Sequence, residues 1–221
     1  MYVLGVVGSP AGGKSTVAKR LAERGATWIN ADLVARAVLE HDDISQQLID
    51  HFGSDIATSE GAIDRAKLAS LVFGDDESKR SSLRFLEGLV HPRTRALIQS
   101  QIRAVQQTVP SGSEKSVIIL DVPLMFKSGW DRSCDEIWCV DSEREIRLAR
   151  TKDRGWDDEE LQQRESNQLD IGAKRRLSNL VIDNNGTLEQ LGETIDRLWG
   201  SITQRVLAAA QADDSHCLGE D

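Results

Sequence analysis

Five short apolar runs punctuate the chain, separated by longer stretches in which apolar residues recur every three to four positions. The runs are Tyr2–Val7 (closed by Gly8), Thr27-Trp28-Ile29, Val117–Asp121, Glu136–Val140 and Leu180–Asp183. Brief runs of this kind, rich in valine and isoleucine, predict strands buried on both faces. Val117–Asp121 is apolar almost throughout, so it is expected near the sheet centre. The intervening pattern is helical. Lys14–Glu23 places Val17, Ala18, Leu21 and Ala22 on one face, with Gly25 as its stop. A helix over Asp32–Leu39 turns Leu33, Ala37 and Val38 inward. From about 40 to 110 the reading is nearly all helical: Ile44–Phe52, a helix capped by Asp64, then Ser78–Val90. Proline suits the first turn of a helix and not its interior, so His91-Pro92 predicts a break, with a new helix from Pro92 to about Gln107 and a loop at Pro110–Ser113. Ser142–Arg154 is helical. Asp157/Glu160 and Thr187/Gln190 each form a capping box, the first opening a helix to about Gln168, the second a last helix to about Ala210. The polar tail from Asp213 is expected to be disordered.

Strands alternating with helices predict an α/β fold: a five-stranded parallel sheet with helices on both faces and a long helical insertion between strands two and three. Composition adds limits. The 221 residues carry 27 Lys and Arg against 36 Asp and Glu, a net charge of −9. An acidic surface is a poor general partner for nucleic acid. No run approaches the ~20 apolar residues of a membrane span, and no signal peptide is read at the N-terminus. Three cysteines without a CxxC predict free thiols and a reducing, cytoplasmic setting.

Gly8-Ser9-Pro10-Ala11-Gly12-Gly13-Lys14-Ser15 matches G-x-x-x-x-G-K-[ST] in full, between a predicted strand and a predicted helix. A loop that wraps phosphate oxygens with backbone N–H groups needs little side-chain bulk and free φ, which Gly8, Gly12 and Gly13 supply; Ala11 and Thr16 complete the loop and the first turn. The helix presents its positive end, Lys14 adds a charge at the outer phosphates, and Ser15 offers its hydroxyl to Mg²⁺. A triphosphate with Mg²⁺ is therefore the expected ligand, in a fold of P-loop NTPase type.

Three kinds of P-loop chemistry compete. A guanine-specific switch wants Asn-Lys-x-Asp, which is missing. A motor wants an acidic pair closing the third strand, but only Asp121 stands there; it either holds Mg²⁺ through a water or caps the strand end. A kinase wants a base beside the acceptor hydroxyl and a means of excluding water. Asp32, just after the second strand, is placed for the crevice at the strands' carboxyl ends, as a base or as a helix cap. Arg147, Arg150 and Arg154 share a helix face, either to neutralise a transferring phosphoryl group or as a solvated face. His91 either orients its turn or contacts the acceptor. His41, His51 and His216 read as surface or packing residues, and of the five tryptophans only Trp130 is a candidate stacking platform.

Asn30-Ala31-Asp32, Glu60–Arg65, His91-Pro92, Pro123–Lys127, the set Arg150, Arg154, Arg164 and Gln168, and Val181–Gly186 resemble, in that order, six motifs of the dephospho-coenzyme A kinase family. Asn30-Ala31-Asp32 with Arg36 stands for its D-A-D triplet, and Glu60–Arg65 for D-G-x-[IL]-x-R. His91-Pro92 matches an H-P pair, and Pro123–Lys127 a P-L-L-[FV]-E segment. Arg150/Arg154 with Arg164/Gln168 match R-x-x-x-R and R-x-x-x-Q, and Val181–Gly186 matches V-I-D-N-x-G. Asn30, Lys127 and Asn179 depart from the family's acids; asparagine cannot act as a base, so that burden falls on Asp32. The resemblance implies ATP-dependent phosphorylation of the ribose 3′-hydroxyl of dephospho-coenzyme A, a small-molecule substrate. It implies a nucleotide-binding core over 1–31, 114–144 and 177–207, a helical acceptor-binding insertion over 32–113, a lid over 145–176 and a tail over 208–221. It assigns Asp32 as base, Arg36, His91 and Pro123 to the acceptor side, and Asn184 to the adenine side. Another nucleoside or nucleotide kinase of the same fold, or a module that only binds ATP, are the alternatives.

Overall fold

Strand β1 (Tyr2–Gly8) lies at the centre of a parallel sheet of order β2-β3-β1-β4-β5, formed with β2 (Thr27–Asn30), β3 (Val117–Asp121), β4 (Glu136–Asp141) and β5 (Leu180–Asp183). The computed structural model describes the backbone of residues 1–74, 76–108, 116–152 and 155–217, with side chains through 208 save that of Thr108. All four pairings are parallel, with Leu4 opposite both Ile119 and Glu136, so the sheet is the one the apolar runs predict. β3, fully buried along its length, sits one position from the centre. Because β1 is flanked by β3 and β4, its carboxyl end opens where the strand order switches, the usual place for a ligand crevice in an open α/β sheet.

Helices α1 (Lys14–Glu23) and α9 (Leu188–Cys217) contribute to the sheet's main core. Leu4, Val6, Val17, Leu21, Trp138, Ile195 and Ile202 are buried there. Each large aliphatic side chain so buried contributes roughly 1.5–3 kcal/mol. α9 runs past the boundary expected near Ala210, as far as Cys217; the last four residues of the expected tail lie outside the described residues, as does the expected loop at 110–113. The Cys139 thiol is fully buried and burial pushes its pKa up to about 11; the Cys134 thiol is pushed up to about 12, again by burial first.

The chain forms two compact units, Met1–Asn30 with the chain from Ile102 onward, and Ala31–Gln101. The second is helical: α2 (Ala31–Val38), α3 (Asp42–Phe52), α4 (Arg65–Val72) and most of α5 (Glu77–Thr108). Its core is Val38, Ile44, Leu48, Ile56, Leu68, Val72 and Val90. Asp64 caps α4 as its position predicts, accepting from the amides of Ala66 at 3.0 Å and Lys67 at 3.2 Å. His51 stacks on Phe85, ring centroids 3.7 Å apart, so it is a packing residue.

The expected break at His91-Pro92 does not occur. α5 continues through Pro92 for 32 residues. Proline there forfeits one backbone hydrogen bond and crowds the carbonyl four residues earlier. That residue is Gly88, whose surroundings are open, and buried Val90 and Ile98 anchor the helix on either side of the proline.

Candidate active site

The loop between β1 and α1 is held in a strained, specific shape. Gly13 has φ 106°, and an added Cβ would lie 2.2 Å from Asn184 Nδ2. Gly8 has φ 151°, and its Cβ would meet the Val140 carbonyl oxygen at 1.9 Å. Both positions exclude a side chain on conformation and on space. Ala11, with φ 57°, adopts the left-handed region without glycine's freedom, a cost held by its surroundings. α1 opens at Lys14, so its first amides, which have no acceptor within the helix, face the loop. Lys14 Nζ donates to the Ser9 carbonyl at 3.0 Å and reaches that of Gly8 at 3.4 Å.

Neighbouring strand ends brace this loop. Asn184, 4% exposed, donates through Nδ2 to the Gly12 carbonyl at 3.0 Å. Ser142 Oγ reaches the same carbonyl at 3.2 Å and the Asn184 carbonyl at 2.6 Å. Ser9 Oγ donates to Asp141, which also accepts from Arg175 at 3.0 Å. The Asn184 side chain thus braces the loop backbone through its Nδ2.

The arginines divide. On α6 (Arg144–Thr151), Arg150 donates to Ser142 Oγ at 2.8 Å and to the Asn184 carbonyl at 2.9 Å, and burial lowers its pKa. Arg147 is buried, bonds the Ser142 carbonyl at 2.8 Å and pairs with Glu165 of α7 (Asp158–Ser166). Arg154 lies outside the described residues. The Asp157/Glu160 capping box is half made: Asp157 accepts from the Glu160 amide at 2.9 Å, while the Glu160 carboxylate turns to Arg164 at 2.7 Å. Arg164 also stacks over Trp156, 3.9 Å from the ring centroid. Trp130, 5% exposed, is a core residue and not an open stacking platform.

Ser15 and Thr16 are exposed in the first turn of α1. Asp121 is buried at the end of β3 and accepts from Asn30 Nδ2 over a long 3.5 Å. An exposed hydroxyl beside the cradle and a carboxylate at the neighbouring strand end are hard oxygen donors, the set a magnesium ion takes together with waters and phosphates. Pro123 is half-buried just beyond β3. A groove of about 400 Å³ between α1 and α9 includes only Thr16 of these residues; nearby charges pair with one another, Arg20 holding Asp196 at 2.8 Å.

In the helical unit, Asp32 stands in the first turn of α2, exposed, and among the described residues no group hydrogen-bonds its carboxylate. It does not cap the helix, which begins one residue before it. Arg36 and His91 are exposed on α2 and α5.

The sequence profile of the dephospho-CoA kinase family matches residues 2–190. The chain belongs to the dephospho-CoA kinase family. Among curated relatives, a dephospho-CoA kinase of Rhodopirellula baltica is 39% identical over 202 residues, 91% of each chain. One of Symbiobacterium thermophilum is 34% identical over 90% of this chain and 80% of its own. A Thermus thermophilus crystal structure superposes with TM-score 0.72 at 29% identity, covering 90% of this chain and 97% of the other. The dephospho-CoA kinase of Campylobacter jejuni, TM-score 0.65 at 23% identity, covers 91% and 97% and shares the fold.

Sequence reasoning missed one element of this dephospho-CoA kinase fold, α8 (Ile171–Leu177). Its signal was Asp170, which accepts from the Ala173 amide at 3.1 Å as an N-cap. α8 carries Lys174, 3% exposed, whose Nζ donates to the Gly8 carbonyl at 2.9 Å and to Gln168 Oε1 at 2.6 Å. Lysine is almost never fully buried, so its place in a Lys-Arg-Arg run gives no hint of this contact.

Proposed function

We propose that the protein transfers the γ-phosphoryl group of ATP to the ribose 3′-hydroxyl of dephospho-coenzyme A, giving coenzyme A and ADP. The observation that carries the acceptor's identity is the family match across residues 2–190, in a chain whose phosphate cradle is intact. The braced loop and the amides of α1 bind the phosphates, with Lys14 supplying charge at their outer end. Asp32 accepts or orients the hydroxyl proton; its unbonded, exposed carboxylate supports that role. Arg150, with Arg154, offsets charge on the phosphoryl group as it moves. Ser15 would hold Mg²⁺, with Asp121 acting through a water; the ion supplies electrostatic neutralisation of the phosphates. Arg36, His91 and Pro123 serve the acceptor side, the helical insertion binds the acceptor, and 145–176 excludes water as a lid. The small anionic substrate suits a chain of net charge −9 only because cations gather locally. Among the described residues no helix is long and apolar enough to cross a membrane, and the free thiols support a cytoplasmic setting.

The test is ADP release with dephospho-coenzyme A against a no-acceptor control and a panel of nucleosides and nucleotides. Release that depends on dephospho-coenzyme A supports the assignment. Release that follows another acceptor, or ATP binding with no transfer to any, defeats it.

A further inference from the structure

Lys174 is a buried cation, and among the described residues no buried anion pairs with it. Both of its hydrogen-bond acceptors, the Gly8 carbonyl and Gln168 Oε1, are neutral. A second ammonium, that of Lys14, reaches the same Gly8 oxygen. Neutral acceptors only partly offset the loss of hydration for a charged group, and a like charge close by adds to the cost. The acids nearby are engaged elsewhere. Asp141 accepts from Ser9 and Arg175, Asp170 caps α8, and Glu165 pairs with Arg147.

Space adjoins this lysine. A cavity of about 150 Å³ has Ser9, Pro10, Arg147 and Lys174 in its lining, beside Glu165 and Asp170, whose carboxylates are engaged as just described. That is about five waters' worth of liquid volume, enough for a phosphoryl group. One wall is the phosphate loop itself, through Ser9 and Pro10.

We propose that Lys174 is a second phosphate-binding lysine of this site, held on the Gly8 carbonyl by Gln168 until the outer phosphates of the nucleotide provide its missing counter-charge. The proposal rests on the reading of the loop as an ATP site and adds a residue to it. It also gives Gln168 a task, that of orienting the ammonium. The lysine is held in tension: burial first, then Lys14, lower its pKa to about 8, against smaller upward pulls from the carboxylates of Asp141 and Asp170. An arriving polyphosphate reverses the balance and favours the charged form.

A lysine that merely pegs α8 to the loop makes different predictions, and Lys174→Met separates the two. Methionine keeps the length and the packing but not the charge. The expected result is a folded protein whose melting temperature at pH 7 is equal to or above that of the parent, with kcat lowered about 10²-fold. ATP affinity is expected to fall about tenfold while AMP affinity stays unchanged. A folded Lys174→Met protein with parental kcat and ATP affinity overturns the proposal, and so does equal weakening of ATP and AMP. The parent protein gives a second measurement, useful if the variant does not fold. Titrated at pH 8 with Mg-ATP and no acceptor, in buffers of different ionisation enthalpy, it is expected to take up a fraction of a proton on binding, and with AMP none. Equal uptake for the two nucleotides overturns the proposal. Failure of the parent to bind ATP at all overturns the nucleotide reading beneath it, a result distinct from normal binding without the differential uptake.

Discussion

The sheet unit and the helical unit use buried polarity in opposite ways. In the sheet unit Ser9, Asp121, Ser142, Arg147, Thr151, Lys174 and Asn184 are buried, and most of the bonds they make brace the phosphate loop or the strand ends beside it. In the helical unit Thr94 is the one buried polar residue among those described, and its hydroxyl has no partner. The residues there with proposed chemical roles, Asp32, Arg36 and His91, lie on the outside of an apolar core. Binding geometry and folding are therefore coupled in the sheet unit, because the same hydrogen bonds serve both. In the helical unit they are separable.

The strongest way to break this contrast is at Asp32. Asp32→Asn is expected to lower turnover by roughly 10²–10⁴-fold, the range for losing a general base, with the melting temperature unchanged. Steady-state kinetics and a thermal melt check both halves; a large loss of stability would show that chemistry and folding are coupled here too. Next is Leu48→Ala, in the core of the helical unit and fully buried, expected to cost roughly 2–5 kcal/mol by denaturant titration. ATP affinity, measured below the unfolding transition, should not change.

Lys174 sharpens the contrast through pH. Its folded pKa, about 8, lies below the ordinary lysine value of 10.5. The buried charge thus costs stability at and below pH 8, on the order of 3 kcal/mol before its hydrogen bonds are counted. Between pH 8 and 10.5 the unfolded chain holds the extra proton, so rising pH relieves the cost. Lys174→Met should show its greatest gain over the parent near pH 7, with the gain shrinking as pH approaches 10.5. A gain that does not depend on pH would remove the buried charge from the account. The smallest expected effect is that of Gly13→Ala, about 1–3 kcal/mol of strain at φ 106°, plus the displacement of Asn184. Coupling predicts that this variant loses ATP affinity and stability together; losing only one would break the contrast.

What could be read from the sequence follows how local each determinant is. The phosphate loop is legible because its glycines, lysine and serine are contiguous and each satisfies a local demand. The five strands are legible because strands buried on both faces are apolar runs. Pro92 misled because the usual rule for proline ignores the neighbours that offset it, here Gly88, Val90 and Ile98. The bond from Asn184 to the Gly12 carbonyl could not be read, because the two residues lie 172 apart in sequence. Lys174 was invisible for the same reason, 166 residues from Gly8 and of a type that belongs on surfaces.

The two thiols described in the sheet unit have a bearing on what this protein can safely handle. Coenzyme A and its precursor each end in a sulfhydryl, and oxidised pools contain their disulfides, which are attacked only by thiolate. With pKa values pushed to about 11 and about 12, Cys139 and Cys134 ionise at neutral pH to roughly one part in ten thousand or less. Attack by either thiol on a disulfide of the substrate or product is thereby slowed at both positions.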